Sequence, residues 1–286
     1  MANSTTTTLA GLFTTIQQTA LFTMQEKAFM RPLVRNYNLV NQPGKAAHVG
    51  IYPSIATSSI TSGENSDASA TTITATDKTF TATEVAIMAT LTDLARDSTA
   101  DDSAAAIGRI LGETLAKKVD EDIAALFSGF SSVPASGMAK TELTPDDILK
   151  AVAILRGNSV MGPYVGIFHP YQTYNLRNVL ANAGSANTPA LSDLGNDVLR
   201  SGYIGRIFGV DIFESAVVTG TSAGAFNGAI MHQDALAFCL KKDITIETQR
   251  DASLRATEIV ASMTYAVGEL FDLHGVLVTT DAAITN

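Results

Sequence analysis

The sequence predicts an α+β fold, and three observations carry that prediction. A Thr- and Ser-dominated, β-like segment covers residues 46–92, a helix-rich middle follows it, and apolar-alternating runs then carry the chain to residue 286. At 286 residues and 46% hydrophobic content the chain can bury a substantial core. Only 16% of residues are charged, against about 25% in ordinary soluble proteins. Such a shortfall is expected where much of the surface faces other protein.

Residues 1–8 are a polar Ser/Thr tract, expected to be mobile. Leu9, Leu12, Phe13, Ile16, Ala20 and Met24 then recur at helical spacing until Pro32 stops the pattern. That stripe needs a surface to bury it, either on its own body or on a neighbouring copy. Val49, Ile51 and Ile55 lead next to a polar tip around Gly63, Asn65 and Asp67, and Ile73, Phe80, Val85, Ile87 and Leu91 lead back. β-Branched residues in partial alternation predict strands, and the Gly/Asn/Asp cluster predicts the turn. The product is a long two-stranded ribbon, too poor in apolar surface to stand alone and expected to lie on another surface.

Asp101, Asp102 and Ser103 cap the start of the longest predicted helix. Ile107, Ile110, Leu111, Leu115, Val119, Ile123 and Leu126 form its stripe, and Gly129 closes it. Lys117, Lys118, Asp120, Glu121 and Asp122 read as a solvated face. A second helix opens at Thr144-Pro145-Asp146-Asp147, with Ile148, Leu149, Val152 and Leu155 as its buried face and Gly157 at its end. Residues 164–168 read as a short buried strand, and Pro170 starts a third helix through Leu176, Val179 and Leu180 that ends near Gly184. Residues 185–198 read as a surface loop. Residues 203–213 then form a strand with a turn or bulge at Gly209, and further strands are expected at 229–240, 244–248, 259–265 and 276–279.

A net charge of −9 argues against a broad nucleic-acid-binding face, which needs Lys and Arg. The charge is uneven. Lys27, Arg31, Arg35 and Lys45 against Glu26 give residues 1–45 a local +3, which leaves −12 for the rest. A basic arm beside an acidic body favours electrostatic docking between copies or onto a partner. Cys239, the sole cysteine, lies in the apolar run ALAFCL and reads as a small buried hydrophobe rather than a nucleophile. There is no charged-then-apolar leader, and the apolar runs fall short of the ~20 residues of a membrane span. A soluble protein made in a cytoplasm is expected.

One enzyme-like pattern is present. Gly220-Thr221-Ser222-Ala223-Gly224 matches G-x-S-x-G, and Asp272 with His274 lie downstream in the order a serine hydrolase needs. That chemistry requires a strand, a tight turn and a following helix, whereas Ala225-Phe226-Asn227-Gly228 favour a loop and a strand, so Ser222 reads as part of a flexible turn. Gly202, Gly205 and Gly209 do not match the dinucleotide fingerprint. His48, His169, His232 and His274 are scattered, without i, i+4 spacing or Cys partners, so no metal site is expected. His169, directly before Pro170, reads as a helix-entry residue. No catalytic or cofactor-binding residue is expected elsewhere, and no cofactor.

The most informative stretch is residues 202–215, GYIGRIFGVDIFES, together with its position after the ribbon and helices and before the last strands. That order of parts resembles the major capsid proteins of tailed bacteriophages, which share the Hong Kong 97-type fold. IFHPYQTYNLRNVL looks like the family's apical strand followed by Pro and a helix, GRIFGVDIFES is similar to its recurring glycine–apolar strand segment, and TYAVGELFDLHGVLVTTDA looks like its closing strands. The resemblance implies an N-terminal arm at 1–45 and an extended β-hairpin loop at 46–92. It implies a peripheral domain with a spine helix at 93–143, an apical α/β domain at 144–235, and peripheral return strands at 236–286. It further implies a structural, non-enzymatic protein of the virion, made in the host cytoplasm. Such a protein self-assembles as pentamers and hexamers into an icosahedral head around double-stranded DNA, which it encloses without sequence-specific binding and without a membrane. Partners implied are a separate scaffolding protein, a portal and a decoration protein.

Some family members cross-link a loop Lys to a distant Asn. Lys78 lies in the loop region, but no partner Asn matches, and that chemistry is not carried over. An encapsulin-like nanocompartment shell is the alternative within the same fold, and a serine hydrolase using Ser222 the alternative from another class. A β-rich tail or adhesion protein would lack the long capped helix at 101–128.

Overall fold

A computed structural model describes residues 16, 18–23, 28–40, 43–52, 72–94, 103–133, 142–183, 205–220 and 224–281. The expected ribbon tip at Gly63, Asn65 and Asp67, the caps Asp101 and Asp102, and the loop at 185–198 lie outside the described residues. In chain order the strands are β1 (Arg35–Asn38), β2 (Ala46–Ile51), β3 (Thr76–Thr81), β4 (Thr83–Thr92), β5 (Tyr164–Phe168), β6 (Arg206–Ile207), β7 (Val210–Glu214), β8 (Ala225–His232), β9 (Leu236–Asp251), β10 (Ala256–Glu269) and β11 (Gly275–Asp281). The helices are α1 (Ser103–Ala125), α2 (Pro145–Gly157) and α3 (Pro170–Ala183).

One sheet has the order β1-β9-β10-β4, a second the order β11-β8-β5-β7-β6, and β2 pairs with β3 as a separate ribbon. The long β9–β10 hairpin dominates the first sheet, and its two faces are both buried near its base. Phe238, Ile259, Ala261, Met263 and Tyr265 pack with Leu111, Leu115, Val119 and Ile123 of α1 in the main core. Ala237, Cys239 and Ala266 face the other way, against Ala47, Phe80 and Ala82 at the base of the ribbon. The alternation follows from the strand period of two.

The stripe on α1 is buried at Leu111, Leu115, Val119 and Ile123, but Ile110 is 62% exposed. Ile110 sits about 100° around the helix from Leu111, off the arc that faces the sheet. Leu149 on α2 is exposed for the same reason, its place being taken by Ala151 between Ile148, Val152 and Leu155. The predicted cap of α2 forms: Thr144 N and Oγ1 both donate to Asp147 Oδ2, at 2.9 and 2.8 Å. α2 and Leu176 of α3 cover the second sheet through Tyr164, Phe168, Val210, Ile230, Val276 and Val278.

Three strand assignments differ from the sequence reading. β4, expected in the ribbon, pairs over its whole length with β10, because Val85, Ile87 and Ala89 find the main core. The run at 229–240 is two strands, broken at Gln233–Ala235 where the chain leaves the second sheet for the first. β11, expected among the peripheral strands, pairs with β8 in the second sheet. Within the expected strand at 203–213, β6 and β7 pair as a hairpin that turns at Phe208–Gly209.

Candidate functional site

The G-x-S-x-G segment is followed by a strand rather than by the helix that a nucleophile elbow needs. Gly220 bridges Phe226, and the chain enters β8 directly after Gly224, so a strand stands where the helix would be needed. Ser222 lies outside the described residues. The residues that would serve it are engaged elsewhere: Asp272 accepts from Ser131 N at 2.8 Å and from Ser131 Oγ, and His274 stacks on Phe271 with ring centroids 4.9 Å apart. Cys239 is fully buried, and burial pushes its thiol up to about 11, which removes it as a nucleophile at neutral pH. His169 opens α3 as expected, accepting from Tyr171 N at 3.2 Å and stacking on Phe226 at 3.9 Å.

The arm and the ribbon are anchored on the body by small, specific contacts. Ile16 and Ala20, in the helical residues 18–23 and just before them, are fully buried. They lie across α1 where it lacks side chains: a Cβ on Gly112 would stand 2.4 Å from Ala20 O, and one on Gly108 2.8 Å from Ile16 O. This part of the stripe is therefore covered by the chain's own spine helix. Leu9, Leu12, Phe13 and Met24 lie outside the described residues. Further on, Arg31 lies 5.1 Å over the Phe238 ring, and Arg35 Nη1 pairs with Asp234 Oδ1 at 2.7 Å. Two of the arm's cations thus dock on their own body, and β1 joins the first sheet in parallel with β9.

Asp120 corrects the reading of the helix's acidic residues as a solvated face. It is buried, and its Oδ1 accepts from Met30 N at 3.2 Å, so it fixes the arm at Met30. Asp122, by contrast, is reached from both sides, by Lys118 at 2.7 Å and by the Tyr265 hydroxyl at 2.6 Å. The ribbon is seated through Phe80, which lies over Gly268 so closely that a Cβ there would stand 2.4 Å from its ring. Lys78 Nζ faces Glu269 Oε1 at 3.6 Å beside it.

The chain passes between the sheets at two short turns, Gln233–Ala235 and Asp272–His274. These turns are joined to each other, since Leu270 N and Phe271 N both donate to Ala235 O, at 2.8 and 3.2 Å. The joint brings together His232, Asp234 and His274, which the sequence scatters over 43 positions. Burial, and the neighbouring His232, hold the His274 imidazole below its ordinary value, with Asp234 pulling the other way. Only the pairing of β8 with β11, remote in sequence, creates this cluster.

A long helix laid along a four-stranded sheet, a ribbon seated on the body at its base, and a second sheet joined by two short turns together make the Hong Kong 97-type fold. The chain belongs to the phage capsid protein family, whose model matches residues 70–278. The structure of Mycobacterium phage Che8 matches with a TM-score of 0.68 at 20% identity, over 84% of this chain and 88% of that one. The head structure of Helicobacter pylori bacteriophage KHP40 matches at 0.66 and 11% identity, over 86% and 88%. The virus-like particle from Pyrococcus furiosus matches at 0.59 and 13%, over 93% and 98%. At these identities the likeness is one of fold. No curated protein matches the chain in sequence.

Proposed function

We propose that this capsid protein is the major subunit of an icosahedral phage head and assembles as pentamers and hexamers around double-stranded DNA. The observation that carries the proposal is the ribbon. Of β2 and β3 only Ala47 and Phe80 are buried, and the other side chains are exposed or half-buried. A two-stranded ribbon gains too little from its own pairing to be stable alone, so it is completed by lying on a neighbouring subunit. Many modest interfaces of this kind, closed into a shell, make loss of one subunit very slow.

In this reading residues 1–45 are the arm and the ribbon within 46–92 is the extended loop. Residues 93–143 carry the spine helix of the peripheral domain, residues 144–235 form the apical domain, and within 236–286 the β9–β10 hairpin returns to the peripheral domain. The subunit works without catalysis or cofactor, is made in the host cytoplasm and ends in the virion. A separate scaffolding protein, a portal and a decoration protein are its further partners. Electron microscopy of the purified protein tests the proposal: closed particles with fivefold and sixfold clusters are expected, and a uniform small monomer would refute it. The likeness to the Pyrococcus furiosus particle keeps a nanocompartment shell as the second reading, and nuclease-protected DNA inside particles made in infected cells separates the two.

A further inference from the structure

We propose that His232, Asp234 and His274 form a binding site for a divalent transition-metal ion, zinc above all, that ties together the two turns joining the sheets. One donor atom from each residue falls within 4.8 Å of the others. Zinc bonds to His nitrogen and carboxylate oxygen at about 2.0–2.2 Å, which sets ligand atoms of one tetrahedral ion about 3.3 Å apart. His232 Nδ1 and Asp234 Oδ2 are already 3.6 Å apart, so modest side-chain rotations complete the triangle. Two imidazoles and one carboxylate suit zinc and its neighbours in the first transition row, whereas magnesium and calcium require oxygen ligands.

A second observation is independent of that spacing. Nδ1 of His274 is buried and has no hydrogen-bond partner. A buried polar atom without a partner is costly, and a metal bound through that nitrogen would satisfy it. The surroundings also suit a metal ligand set. Arg35 holds Asp234 Oδ1 and leaves Oδ2 available, while the Asp234 N–H reaches His232 Nδ1 only at a long 3.3 Å. His232 and Asp234 side chains are 20% and 26% exposed, enough for the ion to enter and for water to take the fourth position. Such an ion would bridge the β8–β9 turn, which supplies His232 and Asp234, and the β10–β11 turn, which supplies His274.

The test is titration of chelator-stripped full-length protein with Zn²⁺ alone, against a chromophoric competitor, with Co²⁺ absorption as a second readout. One equivalent per chain is expected, with affinity reduced at least tenfold in His232→Gln, His274→Gln and Asp234→Asn. His48→Gln and His169→Gln are expected to bind as the parent does. Failure of the unsubstituted protein to take up one equivalent overturns the proposal without recourse to any variant. Uptake that survives all three substitutions, or that is lost in His48→Gln, overturns it equally.

Discussion

Asp120 shows how one side chain can work against the stability of the element that carries it. Burial pushes its carboxyl up to about 6, and the backbone N–H groups of Met30 and Phe29 only partly offset that. The unfolded chain has an ordinary carboxyl near 3.9. The folded protein therefore binds the proton more tightly, so this group's stabilisation is complete below about pH 4 and is lost as pH rises through about 6. Ionised Asp120 then costs on the order of 3 kcal/mol at neutral pH. Asp120→Asn keeps an oxygen for Met30 N and removes the charge. Chemical denaturation should find this variant more stable than the parent at pH 7, with the difference vanishing near pH 4. Parallel profiles at every pH would show that the carboxylate is not desolvated. Nothing in the sequence separates Asp120 from Glu121 and Asp122, because its partner stands ninety positions away.

At the scale of elements, the ribbon is seated by a ring that lies over a residue with no side chain. Gly268→Val puts atoms where the edge of Phe80 now lies, so the ring must leave its place against Ala237, Cys239 and Ala266. Overpacking of this kind costs about 1–3 kcal/mol. Limited proteolysis should then cut residues 43–52 and 72–81 faster than in the parent, while α1 stays protected. The added change Phe80→Ala should restore part of the melting temperature, since the two side chains compete for one space. Equal cutting of parent and Gly268→Val would mean that the ribbon is not held there. The helices were legible in sequence because their signals are local: Thr144-Pro145-Asp146-Asp147 and the spacing from Leu111 to Ile123 suffice. The strand partners were not. The apolar alternation of residues 83–92 suits a ribbon and a sheet equally, and only β10, more than 160 positions away, decides between them.

For the whole molecule, charge bears on nucleic-acid binding. Outside residues 1–45 the chain carries −12, and Arg31 and Arg35 of the arm are occupied by Phe238 and Asp234 of its own body. A chain of that sign offers few free cations to hold duplex DNA. Purified subunits are expected to show no measurable binding of duplex DNA at physiological salt, and none should appear when the arm is removed. Tight, salt-sensitive binding would count against this reading of the charge. The architecture as a whole was legible from the order of ribbon, spine helix and Gly-spaced strand at 202–215, whereas the joint between the sheets was not, because it exists only where two distant turns meet. That joint has a mechanical consequence. β10 runs 14 residues from it, roughly 45 Å at the usual rise of a strand. A pivot of about 5° at the near end sweeps the far tip through about 4 Å, close to the spacing between neighbouring strands. The hairpin is thus a lever, and a small change of angle at its fulcrum is magnified at its tip.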